Sequence, residues 1–202
     1  MITSIDAEDI VQLVRSTHPS PQRVLGMHMV EASGKRMPAV RAFFPDAKDV
    51  LLIDKRNPKS KFRMEKNHPD GLFEAIVWNR KSEFPYRFKV VDHSGTHRLI
   101  EDPYSYVEEV TPFDRYLFNR AIHYRIYEKM GANLKTSGDI GVHFSVWAPN
   151  AKRVSVVGDF NHWDGRKHPM KLHEDSGVWE LFIPDLGAGE KPGHHGGHGC
   201  QR

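Results

Sequence analysis

One phrase of the sequence occurs twice, and this repeat limits the possible folds more than any other feature. Residues 40–50 (VRAFFPDAKDV) correspond to residues 144–154 (FSVWAPNAKRV), with Pro45 equivalent to Pro149 at an offset of 104. Residues 71–74 (GLFE) correspond in the same way to residues 177–180 (GVWE), at an offset of 106. Each long phrase predicts a strand, a turn and a strand, and the order is the same in both copies. The repeat therefore indicates two related domains in tandem.

Length and strand pattern together favour a fold built mainly from β-strands. The chain has 202 residues, which is enough for two small domains about a hundred residues apart. Short apolar segments separated by Pro, Asn, Asp and Gly recur through both copies with no long helix between them. We expect two tandem immunoglobulin-like β-sandwich modules joined by a short helical linker, with the second module truncated.

Changes in periodicity predict the domain boundaries. We expect an N-terminal β-sandwich module over residues 1–110 and a helical linker over residues 111–132, where apolar residues recur every three or four positions and Gly131 ends the pattern. An incomplete module follows over residues 133–190, because no counterpart of the strand predicted at residues 86–91 comes after Ile183. Residues 191–202 are rich in glycine and histidine, and we expect a disordered tail there.

Charge and composition exclude several classes of partner. The net charge of +3 is spread along the chain without a basic block, so no nucleic acid is expected as a partner. Residues 1–13 lack the features of a signal peptide, and no apolar run approaches the ~18 residues of a membrane helix, so no membrane association is expected. The single cysteine, Cys200, fits a reducing compartment, and we expect a cytoplasmic location.

Several motifs resemble those of known carbohydrate-active proteins. Residues 144–151 (FSVWAPNA) and residues 154–164 (VSVVGDFNHWD) resemble the family 48 carbohydrate-binding module that precedes the barrel of α-glucan-active enzymes. Residues 25–28 (LGMH), 102–104 (DPY) and 122–132 (IHYRIYEKMGA) resemble the N-terminal part of bacterial 1,4-α-glucan (glycogen) branching enzymes. The resemblance extends from about Leu13 to Glu190.

The resemblance implies a reaction that this chain is not expected to catalyse alone. Such enzymes cleave an α-1,4 glucan and transfer the segment to a 6-hydroxyl, with two carboxylates on a (β/α)8 barrel. A barrel of that kind needs roughly 250 residues, whereas twelve residues follow Glu190. We therefore expect no catalytic residues, no cofactor and no activity for this chain by itself.

The candidate site for carbohydrate lies in the second copy. Sugar binding uses aromatic faces together with polar groups that hydrogen-bond hydroxyls, and the resemblance implies Trp163 as a stacking platform. The tentative site consists of Trp163, Asn161, Phe160 and Lys152. An alternative is that Trp163 packs on its own domain or against the missing barrel.

Two further predictions concern the other tryptophans and the first copy. Trp147 and Trp179 lie mid-strand in the repeat and are expected in the core. Residues 54–59 (DKRNPK) occupy the position that GDFNHW occupies in the second copy, so the first copy lacks this aromatic platform. We expect the first module to bind glucan poorly at that surface and to act in spacing or docking.

The histidine-rich end of the sequence is a candidate metal-binding segment. The sequence has thirteen histidines, and residues 194–200 (HHGGHGC) could bind zinc or nickel as a flexible tract. The alternative, that this tract is foreign to the module, is favoured, so we predict no metal.

Two functional hypotheses remain open. In the first, the chain is the non-catalytic N-terminal part of a glycogen branching enzyme and weakly binds or positions α-glucan, either glycogen or a maltooligosaccharide, next to the catalytic barrel of the parent enzyme. In the second, it is an interaction module that docks on a separate catalytic chain or another partner.

Overall fold

The computed structural model describes residues 5–32, 34–187 and 192–196. The chain divides into two compact units, the first formed by Met1–Ser16 and Gln22–Ser105, the second by Thr17–Pro21 and Tyr106–Arg202. All strand pairs are antiparallel, as expected for β-sandwich modules. In these described ranges no helix is long and apolar enough to cross a bilayer.

The described residues of the first unit form one α-helix, short 3-10 turns and two four-stranded sheets. Helix α1 (Ala7–Val14) precedes the strands. The first sheet has the order β1-β2-β6-β5 and the second β4-β3-β7-β8. The strand bounds are β1 (Gly26–Ala32), β2 (Lys35–Phe43), β3 (Ala47–Asp54), β4 (Lys61–Arg63), β5 (Glu65–His68), β6 (Leu72–Ile76), β7 (Tyr86–Asp92) and β8 (His97–Ile100).

Alternation along the strands places one core between these sheets and a second on the outer side of the first sheet. The inner core combines Val40 and Phe73 of one sheet with Leu52 and Phe88 of the other, all at most 1% exposed. On the outer side, Phe43 packs in a cluster with Leu13 of α1. The helix therefore covers part of a sheet face that would otherwise be exposed to solvent.

The second unit begins with a helical segment and continues as strands. Helix α2 (Pro112–Asn119) starts at a capping box in which Thr111 and Asp114 each bond the other's backbone N–H. One sheet has the order β12-β13-β10-β9, and β11 pairs with β14. The strands are β9 (Gly131–Lys135), β10 (Gly141–Trp147), β11 (Val154–Gly158), β12 (Lys171–His173), β13 (Val178–Pro184) and β14 (Pro192–Gly196).

The sequence repeat is also a structural repeat. Phe43 of β2 pairs with Leu72 of β6, and the equivalent Trp147 of β10 pairs with Val178 of β13. The turns match as well: the Phe44 N–H donates to the Gly71 carbonyl at 2.8 Å, and the Ala148 N–H donates to the Gly177 carbonyl at 3.0 Å. The two copies therefore share register as well as element order.

Two sequence-based expectations are corrected. Trp147 is 56% exposed, because the edge-on contact with Phe118 of α2 covers only part of its ring, whereas Trp179 is 1% exposed and confirms the core prediction. The expected disordered tail is wrong for residues 192–196, which pair with β11; the remaining residues of that tail, 191 and 197–202, lie outside the described ranges.

The segment predicted as a helical linker contains α2 and a 3-10 turn at Ile126–Glu128, as the periodicity indicates. Gly131, predicted to end the helical pattern, has a φ of 89°. The division of the chain falls between Ser105 and Tyr106, so this segment groups with the second unit.

Candidate glucan-binding site

The candidate site is the loop that leaves β11 and returns to β12. It begins with a 3-10 turn at Asp159–Asn161. His162 and Trp163 then follow with φ values of 57° and 59°, the left-handed region that costs L-residues of this kind of order 1–3 kcal/mol each. Such a backbone persists only where neighbouring contacts hold it, and the loop supplies those contacts.

Asn161 is the residue that fixes this loop. Its side chain is 2% exposed. Its Oδ1 accepts from the Gly158 N–H at 3.0 Å, and its Nδ2 donates to the Val156 carbonyl and to His168 Nδ1, both at 2.9 Å. The amide is thus used within the loop, so Asn161 positions its neighbours and does not face solvent.

Trp163 is the exposed aromatic residue of the predicted set. It is 56% exposed, its backbone N–H donates to the Gly158 carbonyl at 3.0 Å, and its Nε1 donates to Asp159 Oδ1 at 3.0 Å. An indole held at both its backbone and its ring nitrogen, with a free ring area, is a prepared surface for stacking.

Phe160 supports the loop from within. Its ring meets the His168 ring edge-on at a centroid distance of 5.3 Å. Burial and the nearby Lys167 lower the pKa of His168 to about 4, with Asp164 opposing them. The imidazole is therefore neutral near neutral pH, and its Nδ1 is able to accept the hydrogen bond from Asn161.

Lys152 lies on a different turn, next to Arg153, whose side chain donates to the Gly165 carbonyl of this loop. It is exposed in the turn between β10 and β11, and within the described part of the chain no hydrogen bond or ring contact joins it to Trp163. The structure therefore brings together Trp163, Phe160 and Asn161, and leaves Lys152 on a separate turn.

A buried polar network in the same unit was not foreseen from the sequence. Glu180, 4% exposed, accepts from His143 Nε2 at 3.1 Å, from His173 Nε2 at 2.8 Å and from the Val110 N–H at 3.1 Å. Burial raises the pKa of Glu180, but the hydrogen bonds from the two histidines and the Val110 N–H outweigh it and lower the pKa to about 2.

The network has the donor types of a metal site. One ligand atom from each of Glu108, His173 and Glu180 falls within 4.8 Å of the others. Glu108, however, already contacts Lys171 and Arg115, and Glu180 is bonded by both histidines. A cation would have to displace two protein cations, so the geometry fits a structural network that ties residues 108–110 to the sheet.

Two family models match the chain, one in each unit. Residues 6–104 match the family described as alpha-1,4-glucan branching enzyme GlgB, N-terminal domain, and residues 129–194 match carbohydrate-binding module 48 (isoamylase N-terminal domain). Fold and matches define the class: a β-sandwich chain with a carbohydrate-binding module in its second unit. The chain belongs to the GlgB branching-enzyme family, whose N-terminal domain it contains.

Curated relatives agree with this assignment. The chain is 43% identical over 195 residues to 1,4-alpha-glucan branching enzyme GlgB of Synechococcus sp. (strain JA-2-3B'a(2-13)), covering 92% of this chain and 25% of the relative. It is 43% identical over 190 residues to the GlgB of Trichodesmium erythraeum (strain IMS101), covering 93% and 24%. The chain thus spans about a quarter of the length of these relatives.

Solved structures are more distant. A pullulanase from Anoxybacillus sp. LM18-11 is 18% identical, with 84% of this chain and 23% of the pullulanase covered and a TM-score of 0.27. A type I pullulanase from Bacillus subtilis str. 168 complexed with maltose is 16% identical, with 78% and 21% covered and a TM-score of 0.28. At these scores the likeness carries no argument.

Proposed function

We propose that this chain is the glucan-binding part of a 1,4-α-glucan branching enzyme and that its second unit binds α-glucan on the exposed face of Trp163. The observation that supports this most directly is an indole 56% exposed on a loop whose backbone and side-chain contacts fix it. A rigid aromatic face loses little entropy on binding, and the apolar face of a glucose ring can stack on it.

The other predicted residues take different roles in this proposal. Asn161 and Phe160 are positioning residues, because they bond or pack inside the loop that presents Trp163. Asp159 accepts the indole N–H and sets the angle of the ring. Lys152 is available to a longer glucan that extends beyond the loop.

The chemistry of branching is assigned to the part of such an enzyme outside this chain. In the proposed parent reaction an α-1,4 glucan is cleaved and the segment is joined to a 6-hydroxyl, which gives an α-1,6 branch. The role of the present chain is to hold glucan near that site, in the cytoplasm, with α-glucan and the catalytic barrel as its partners.

The test is a titration of the 15N-labelled chain with maltoheptaose, followed at the amides of Gly158 and Gly165 beside the loop. We expect W163A to weaken binding at these amides at least about tenfold, because the stacking surface is lost. W163F should retain part of the affinity, and Y124A, which removes an aromatic that is 86% exposed elsewhere in the unit, should change nothing. Unchanged shifts and affinity in W163A would remove the proposed platform.

A second candidate function, docking on a catalytic domain, is favoured by a separate observation. Phe113 and Tyr116 of α2 are 67% and 51% exposed, and Trp147 is 56% exposed. Phe118 of the same helix meets Trp147 edge-on at 5.9 Å. We define Phe113, Tyr116, Phe118 and Trp147 as the α2 aromatic surface. Exposed aromatic area of this kind is typical of surfaces that another domain covers.

A further inference from the structure

A groove in the first unit has a chemistry that the proposed function does not use. It has a volume of about 490 Å3, within the range of small-molecule sites. Its lining comes from β4, β5, β6 and the turn after β6, and consists of Arg63, Glu65, Asn67, Glu74, Ala75, Ile76 and Trp78. It therefore lies on a single unit and needs no contribution from the other.

Trp78 is an exposed indole on a fixed turn. It is 56% exposed, the same fraction as Trp163. The preceding Val77 is 1% exposed and its N–H donates to the Pro38 carbonyl at 2.8 Å. Arg80, two residues further, bonds the buried Asp54 at 2.6 Å. The turn that carries the indole is thus anchored on both sides.

The floor of the groove carries a polar group that is held in place. Glu74 is 4% exposed; its Oε1 accepts from Arg41 Nε at 3.0 Å and its Oε2 from Asn67 Nδ2 at 2.8 Å. Because side chains alternate along a strand, Glu74 and Ile76 of β6 share one face of the sheet, and Trp78 on the following turn lines the same groove. A carboxylate and an amide in fixed positions next to an open indole form a ready set of hydrogen-bonding and stacking groups.

The rim of the groove carries balanced charge. Arg63 and Glu65 are both exposed and carry opposite charges. Arg63 Nε also lies 3.4 Å from Asp49 Oδ1. Glu74 is already neutralised by Arg41. Neither an anionic nor a cationic ligand is favoured, whereas a neutral polyhydroxylated ligand with an apolar face satisfies both the indole and the polar groups.

We propose that this groove is a second α-glucan-binding site, with Trp78 as its stacking platform and Asn67, Glu65 and Arg63 as its hydroxyl-binding groups. The proposal rests on the proposed function, because it takes the same ligand class for the chain. The groove lining does not include the turn at residues 54–59, where charged residues stand in place of the aromatic platform of the second unit. In this proposal the first unit, which contains the first copy of the repeat, binds glucan in the groove beside Trp78.

The experiment uses the full chain, 15N-labelled and titrated with maltoheptaose, with cellohexaose as a β-linked comparison. The groove is followed at the amides of Ala75 and Ile76 and at the Trp78 indole N–H, and the second-unit loop at Gly158 and Gly165. We expect both sets of signals to shift with maltoheptaose, and W78A to weaken binding at the groove amides at least about tenfold while the loop signals keep the parent affinity. W78F should restore part of the affinity.

The variants separate this proposal from the proposed function. W163A should weaken the loop response only, so loss of affinity at one set of signals without the other identifies which site fails. The double variant R63A/E65A, which alters two exposed side chains and no core residue, should also weaken the groove response. Groove amides that do not shift, or that shift equally in the parent and in W78A and R63A/E65A, overturn the proposal, as does equal binding of cellohexaose.

Discussion

Glu180 shows how one buried carboxylate can join segments far apart in the sequence. It lies on β13 and accepts hydrogen bonds from β10, from β12 and from the Val110 backbone. Glu108, two residues before Val110, is held in turn by Lys171 and Arg115. The segment that enters the second unit is therefore fixed by charged hydrogen bonds, which are stronger than neutral ones.

For this single residue we predict that E180Q destabilises the second unit. One of the three donors would then face an amide NH2 group, and a buried unsatisfied donor costs about 1–3 kcal/mol. Urea unfolding at pH 6 measures the loss. E128Q is the matched control, since Glu128 pairs with Arg125 at the surface, and it should change the free energy of unfolding little.

The same variant has a defined pH dependence. The folded-state pKa of Glu180 is lowered from 4.5 to about 2, so its contribution is present above pH 4.5 and is lost as the pH falls through 2. The shift corresponds to about 3 kcal/mol. The difference between the parent and E180Q should therefore be largest above pH 5 and shrink toward pH 2.5. A difference that is constant over this range would contradict the assignment.

At the scale of elements, the repeat is encoded by a proline and a glycine that meet. Gly71 and Gly177 have φ values of 106° and 70°. A Cβ on Gly71 would lie 2.5 Å from the Pro45 Cα, and one on Gly177 would lie 2.6 Å from the Pro149 Cβ. In both units, the turn before β6 or β13 thus packs against the connection that leads from one sheet to the next, at positions where only glycine fits.

We predict that G71A and G177A destabilise their own units by more than a left-handed backbone alone explains. Gly138 is the matched control, because its φ is 73° and no atom lies within 4 Å of its would-be Cβ. G138A should cost about 1 kcal/mol, and G71A and G177A clearly more, because backbone atoms must also move. Thermal unfolding of the three variants gives the comparison. Equal costs for G138A and G177A would show that the contact with Pro149 is unimportant.

Sequence patterns predicted these elements well where the signal was local. The strands, α2 and the glycine that ends the helical pattern all follow from periodicity and turn residues. The strand at residues 192–196 could not be predicted, because its composition is that of a loop and its pairing with β11 uses backbone groups that every residue carries. The core prediction for Trp147 was wrong for a different reason. Alternation along a strand predicts which face of the sheet a side chain lies on, but not how far another element covers that face.

The residues of the candidate sites also differ in how far the sequence predicts them. Trp163 follows from its motif, whereas the internal role of Asn161 depends on the path of the loop around it. Trp78 carries no motif at all. Its groove arises because β5 and β6 pair and bring Asn67 and Glu74 to the same face. The spacing of these residues in the sequence does not predict that pairing.

At the scale of the molecule, exposed aromatic residues at three places have different expected partners, and Tyr124 and Tyr127 are exposed outside these places. Trp163 lies on a polar loop, and Trp78 lies in a groove whose lining combines polar residues with Ala75 and Ile76. The α2 aromatic surface combines the exposed rings of Phe113 and Tyr116 with the Phe118–Trp147 ring pair, and exposed aromatic area of this kind suits coverage by another domain. Since the chain spans about a quarter of the length of its relatives, a larger protein has the surface to provide that cover.

A chimera separates these assignments. This chain would replace the matched segment of the Synechococcus GlgB, and hydroxyl-radical footprinting would compare the chimera with the isolated chain. We expect Phe113, Tyr116 and Trp147 to lose reactivity in the chimera, because the adjoining domain covers them, while Trp163 and Trp78 stay reactive until maltoheptaose is added. Protection of Trp163 or Trp78 without glucan would assign that residue to docking, and unchanged reactivity of Trp147 would remove the α2 aromatic surface as the docking face.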